Sequence, residues 1–258
     1  MYNIAITAGG TSEDVDGVRK LTNVSTGSLG WRCLEAVLDY FLSKHESDFH
    51  IYYILTPTAH RKKLSEEHSS YVEFIDVTDA ESVYRAVDNL TKDVDITHFI
   101  HSMAISDFTF SYAVSIDALA RELAKYIANG GEASSKQFAQ ILSMPESRYG
   151  EGAKISSSQP MLMGLKTTQK VISIIKENNE NTVLVGFKLL RNVDEETLVD
   201  VAATLQSKNN CDYVFANELS HIEGDKHSGM LLRGTDVVAR VKGKKMIAEA
   251  IVRTMLDY

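Results

Sequence analysis

Short runs dense in β-branched and aromatic residues recur along the chain: YNIAIT at 2–7, FHIYYILT at 49–56, YVEFIDV at 71–77, DITHFIHSMAI at 95–105, NTVLVGFKLL at 181–190 and DYVFAN at 212–217. Several are apolar at consecutive positions, as strands of a parallel sheet covered on both faces must be. Between them, SLGWRCLEAVLDYFLSK carries apolar residues at helical spacing. DAESVYRAVDNLTK and DEETLVDVAATLQSK open with acids and close with lysine, which suits both ends of a helix dipole. Strand and helix alternate, so the expected architecture is α/β: a Rossmann-like, mostly parallel sheet with helices on both faces.

The rhythm breaks after residue 110, in DALARELAKYIANGGEASSKQFAQILSMPESRYGEGAKISSS. This segment is read as a helical excursion, an insert over about 111–153, ending in a Gly- and Ser-rich mobile arm. At 258 residues, 44% of them hydrophobic, the chain is expected to form a single domain over 1–258.

The opening stretch, ITAGGTSEDVDGVRKLTNVSTGSLG, holds two glycine clusters. The first ends a strand at the sheet's carboxyl edge, and the second precedes a helix whose free N–H groups would face an anion. That pattern suits phosphate. The competing reading makes Ser25 and Ser28 ordinary N-caps and the glycines turn residues. A hydride-transfer enzyme would show G-x-G-x-x-G at the first turn and an acid after the second strand; neither is present. The Tyr40 to Lys44 spacing lies on the first predicted helix, where a short-chain reductase would not carry its catalytic pair.

A net charge of −8 argues against a nucleic-acid surface. The two cysteines, Cys33 and Cys211, lack metal-ligand spacing and read as core thiols of a cytoplasmic protein. No run approaches the roughly 20 apolar residues of a membrane span. His98 and His101, three apart in a strand-like run, would point to opposite faces, and no metal site is expected. His221 and His227 flank an acidic loop and read as solvated.

Taken in order, the ITAGGTSEDVDGVRKLTNVSTGSLG opening, HSMAISDFTF, KISSS, LVGFKLL and KNNCDYVFANEL resemble the successive motifs of phosphopantothenate-cysteine ligases. The resemblance runs along the whole chain. It implies an enzyme of coenzyme A biosynthesis that joins 4'-phosphopantothenate to cysteine through an acyl-nucleotide. It also implies a stand-alone ligase, without the flavin-dependent decarboxylase domain that many bacterial relatives carry, acting as a homodimer with no membrane or nucleic-acid partner.

By the same resemblance Gly10, Ser25, Gly27 and Gly30 embrace the triphosphate, with Mg²⁺ sharing its charge. Arg19 meets the phosphate of phosphopantothenate, and Asn23 holds the pantothenate side and the acyl intermediate. Lys154 closes over the phosphates as the acyl-nucleotide forms. Asp107, Phe187, Lys208 and Asn217 lie near the nucleotide, and backbone around Met103 and Ala104 reads the base. Each residue also has an ordinary structural reading: an ion pair of Arg19 with Asp14 or Asp16, a turn at Asn23, a solvated loop lysine at Lys154, a capping role for Asp107, core packing for Phe187, a helix C-terminal cation at Lys208 and a strand-end turn at Asn217. CTP is favoured as cosubstrate over ATP on family grounds, although ISSS after Lys154 and the SDF spelling lie closer to the ATP-using branch. The alternative is a nucleotide-binding module, or an NAD-linked oxidoreductase of the same fold, without ligase activity.

Overall fold

The computed structural model describes residues 1–149, 159–223 and 226–257. In chain order its strands are β1 (Tyr2–Ala8), β2 (Ser12–Asp14), β3 (Lys20–Thr22), β4 (Phe49–Leu55), β5 (Val72–Asp76), β6 (His98–His101), β7 (Phe108–Ser115), β8 (Met161–Thr167), β9 (Val183–Leu190), β10 (Tyr213–Glu218), β11 (Ile222–Glu223), β12 (Lys226–Arg233) and β13 (Asp236–Lys242). The helices are α1 (Ser28–Ser43), α2 (Glu66–Ser69), α3 (Ala80–Asp93), α4 (Ile116–Ala128), α5 (Ser135–Ser143), α6 (Val171–Asn178), α7 (Glu195–Asn209) and α8 (Lys244–Leu256). Contacts divide the chain into two compact units. One comprises Met1–Thr11, Asn23–Ile105 and Gln169–Tyr258, and the other Ser12–Thr22 and Ser106–Thr168.

In the first unit the parallel strands run in the order β5-β4-β1-β6-β9-β10, and antiparallel β12 follows β10 with β11 and β13 beside it. This is the doubly wound order, whose direction reverses between β1 and β6. The Rossmann-like fold expected from the sequence is borne out. Alternate strand residues feed two cores, as the period of two requires. Ile4, Ile6 and Ala8 pack with Trp31, Leu34, Val37 and Phe41 of α1 and with Ile247, Ile251 and Met255 of α8. On the other face Ala5 packs with Val83 and Val87 of α3, Ile174 of α6 and Leu198 of α7. The helix signals also act where expected: Asp79 closes a capping box with Ser82 at the start of α3, and Asp194 accepts from Thr197 N at the start of α7.

Helix α1 lies close on β1 because of Gly30. A Cβ there would stand 2.7 Å from the Ala8 Cβ and 2.9 Å from the Ser102 hydroxyl oxygen. Any side chain at this position would push the helix off the strand end.

The second unit is built from the segments that leave the chain after β1 and after β6. It contains the β2–β3 hairpin, the antiparallel β7–β8 pair and helices α4 and α5. Val15, Phe110 and Ala113 form one small core, and Tyr112, Val114 and Leu119 another. The helical insert expected over 111–153 corresponds here to the end of β7 followed by α4 and α5. Its Gly- and Ser-rich end lies outside the described residues, and so does Lys154. No helix of the described residues is long and apolar enough to cross a membrane.

Candidate functional site

The carboxyl end of β1 does not stop at Ala8. Ala104 N donates to Gly9 O at 2.9 Å and Thr11 N donates to Ala104 O at 3.1 Å, so Gly10 and Ala104 pair as a parallel bridge past the last strand residues. Asn23 N then donates to Thr11 O at 3.1 Å. This draws the second glycine cluster against the first: a Cβ on Gly10 would lie 2.1 Å from the Asn23 carbonyl oxygen. Only glycine permits that approach.

Gly27, in the left-handed region at φ 65°, is the N-cap of α1. It supplies no side-chain cap, and the first turn carries no acid. The reading of Ser25 and Ser28 as ordinary caps of α1 therefore does not hold. Ser25 Oγ instead accepts from Gly27 N at 3.4 Å, and the Thr26 hydroxyl donates to Ser28 Oγ at 3.0 Å. The result is a helix N-terminus walled by Gly10, Ser25, Gly27 and Gly30. Its peptide N–H groups and dipole suit an anion.

On the α1 face of the sheet, Phe187 in the middle of β9 is half-buried, its ring centroid 5.6 Å from that of Phe215. Asn217, at the end of β10, is 5% exposed. Its Nδ2 lies 3.0 Å from Nε2 of His227 on β12, whose ring is in turn 6.0 Å from Phe215. His227 is thus buried rather than solvated, and burial, with Lys244 adding to it, pushes its imidazole down to about 4. The acidic residues flanking it in sequence gave no sign of this. The strand pairing of β12 alone brings it to Asn217.

Met103 and Ala104 are placed at the switch point between β1 and β6, but their N–H groups are already spent. Met103 N donates to Thr7 Oγ1 at 3.2 Å and Ala104 N to Gly9 O. The same Thr7 hydroxyl lies 3.1 Å from Nδ1 of buried His101, whose imidazole burial pushes down to about 4. Base-reading donors therefore cannot come from these two residues, and of their carbonyl oxygens that of Ala104 already accepts from Thr11 N.

Lys208 departs from expectation. It is exposed in the last turn of α7, the helix that leads into the amino end of β10, so the fold carries it to the edge opposite Asn217. The K-N motif there is a helix terminus, with Asn210 in the left-handed C-cap conformation.

Two expected site residues belong to the second unit. Arg19 donates through Nε and an Nη to Asp16 Oδ2 at 3.0 and 2.7 Å, and its backbone N donates to Asp16 Oδ1 at 2.8 Å. The ion-pair reading of Arg19 is therefore realised, with Asp16 as the acid. The Asp16 side chain is 2% exposed and the Arg19 side chain 46%. Asp107 is exposed, and its carbonyl accepts from Thr168 N at 3.1 Å.

The match to the DNA/pantothenate metabolism flavoprotein C-terminal domain covers residues 2–117 and 145–258, which leaves out most of α4 and α5. The chain belongs to this family. It is 28% identical over 96% of its length to the coenzyme A biosynthesis bifunctional protein CoaBC of Methanocaldococcus jannaschii, and 25% identical to that of Thermococcus kodakarensis. The chain spans about half of these curated relatives, 49% of each. Among solved structures it is similar to the DNA/pantothenate metabolism flavoprotein from Streptococcus pneumoniae, at 30% identity over 100% of both chains with a TM-score of 0.78. A Cab2 mutant in complex with phosphopantothenate-cysteine shares the fold, at 15% identity over 99% of this chain and 88% of the other with a TM-score of 0.64.

The Asp16–Arg19 pair gives a measurable signature. The Arg19 hydrogen bonds hold the Asp16 carboxyl at about 2, below its ordinary value of 3.8. Its contribution to stability is therefore complete above pH 3.8 and disappears as pH falls through 2. A ¹³C NMR titration of side-chain carboxyls should find that low midpoint for Asp16. In Arg19→Ala the midpoint should rise toward 3.8. A wild-type midpoint already near 3.8 would contradict the pairing.

Proposed function

We propose that this chain ligates 4'-phosphopantothenate to cysteine, activating the carboxylate as an acyl-nucleotide with release of pyrophosphate. The uncapped α1 N-terminus walled by Gly10, Ser25, Gly27 and Gly30 carries the reading, supported by membership of a family whose relatives are named for coenzyme A biosynthesis. A carboxylate does not condense with an amine in water unless its oxygen becomes part of a leaving group. Attack of that oxygen on the α-phosphorus supplies one, and the cysteine amine then displaces the nucleoside monophosphate.

In this scheme the peptide N–H groups of the cradle take the phosphate oxygens, where preorganised donors stabilise charge that develops at the α-phosphorus. Mg²⁺ enters with the triphosphate as part of the substrate. Among the described residues no three His, Cys, Asp or Glu side chains cluster to hold it on protein alone. Phe187 lies against the nucleotide, with Asn217 beside it. The guanidinium of Arg19 meets the phosphate of phosphopantothenate, Asn23 steadies the acyl group, and Lys154 neutralises charge during the first half-reaction.

The acceptor character of the Met103–Ala104 segment suits a base with an exocyclic amino group, a property shared by cytosine and adenine. Between them CTP is the choice on family grounds. The second unit supports a homodimer. Phe108, Ile116, Leu162, Met163 and Leu165 of β7, α4 and β8 are about 44–50% exposed and form apolar surface that a second copy would cover.

Pyrophosphate release and phosphopantothenoylcysteine formation, followed with CTP and with ATP, test the reading. Lys154→Gln should lower pyrophosphate release by roughly a hundredfold. Asn23→Ala should spare that step more than transfer to cysteine. Wild-type enzyme that releases no pyrophosphate with either nucleotide would refute the ligase assignment, and a CTP-to-ATP ratio of kcat/KM at or below one would reverse the nucleotide choice. Light scattering should give a dimer that Leu165→Asp converts to monomer; a fully active wild-type monomer at assay concentration would contradict the assembly.

A further inference from the structure

His227 is a polar ring in an apolar setting. It lies on β12 with 8% of its surface exposed, its ring neighbour is Phe215, and Leu231, further along the strand on the same face, is a core residue. Its Nδ1 is buried and has no hydrogen-bond partner among the described residues. The side-chain bond it makes is the 3.0 Å contact of Nε2 with Asn217 Nδ2. A position serving packing alone would be better filled by a residue with no polar atom to desolvate. The ring is therefore accounted for by what it does to Asn217.

An amide nitrogen can only donate, so Nε2 must accept, and a neutral imidazole that accepts at Nε2 carries its proton on Nδ1. The bond also fixes the amide itself. With Nδ2 turned to His227, Oδ1 is the atom Asn217 has left to offer. Asn217 thus presents an acceptor at the carboxyl edge, and rotating the amide by half a turn would replace it with a donor.

We propose that His227 is a positioning residue for nucleotide binding: by accepting from Asn217 Nδ2 it locks the amide so that Oδ1 faces the nucleotide and receives a hydrogen bond from a hydroxyl or amino group there. This rests on the ligase reading for the location of the nucleotide. Phe187, Phe215 and His227 form a continuous aromatic row, so the lock is built on rigid strands β9, β10 and β12 rather than on a loop.

Two substitutions and one spectroscopic measurement test it. His227→Phe keeps a planar ring and removes the acceptor, whereas His227→Gln can return an acceptor oxygen near the place of Nε2. His227→Phe should raise the KM for nucleotide about tenfold, the scale of one well-placed hydrogen bond, and leave the KM for phosphopantothenate within about twofold. His227→Gln should recover most of the loss. ¹⁵N NMR of wild-type protein at neutral pH should show His227 protonated at Nδ1 and bare at Nε2. Protonation at Nε2, an unchanged nucleotide KM in His227→Phe, or equal losses in both variants would overturn the proposal. The NMR result and His227→Gln keep it falsifiable where His227→Phe does not fold. Wild-type protein that binds neither CTP nor ATP in equilibrium dialysis would fail the ligase reading instead, and the tautomer is read independently of that outcome.

Discussion

The close contact between the end of β1 and the start of α1 is the constraint on which the rest depends. Gly30 lets the helix rest on Ala8, Gly10 lets the strand extension touch the Asn23 backbone, and Gly27 turns the chain into the helix without supplying a cap. Each glycine removes a side chain that would hold the segments apart or occupy the helix N-terminus. What remains is the N–H groups of the first turn after Ser28, backed by a 16-residue helix dipole at the carboxyl edge of the sheet. Phe187, Asn217 and His227 stand on the same sheet face, and their placement has meaning only relative to that cradle.

The acceptors and donors around it are sorted by the fold. Thr7 and Gly9 consume the N–H groups of Met103 and Ala104, and His227 fixes the donor end of the Asn217 amide. The buried imidazoles of His101 and His227, both pushed down to about 4 by desolvation, remain uncharged at neutral pH. They can accept hydrogen bonds without adding positive charge beneath a site whose fixed positive field comes from the backbone.

Much of this was legible in the sequence because it is written in local patterns. Apolar periodicity marked α1, acidic starts and lysine ends marked α3 and α7, and consecutive apolar residues marked the parallel strands, since burial on both faces leaves no alternation to misread. The glycine clusters pointed to the cradle for a reason the structure makes explicit. Features that need tertiary pairing were not legible. His227 sits ten positions from Asn217 among acids and meets it only because β12 turns back along β10. Lys208 was misplaced because a motif read as a linear string hides the antiparallel relation of a helix to the strand it feeds. Arg19 and Asp16 were both visible, but the depth of Asp16 burial was not.

The central claim is that the cradle holds a nucleoside triphosphate for attack at its α-phosphorus by the carboxylate. Phosphopantothenate labelled with ¹⁸O in its carboxylate tests it most directly, with the products of complete turnover analysed by mass spectrometry. The account predicts that one labelled oxygen appears in the nucleoside monophosphate and none in pyrophosphate. Label in orthophosphate, or none in the monophosphate while product forms, would contradict it.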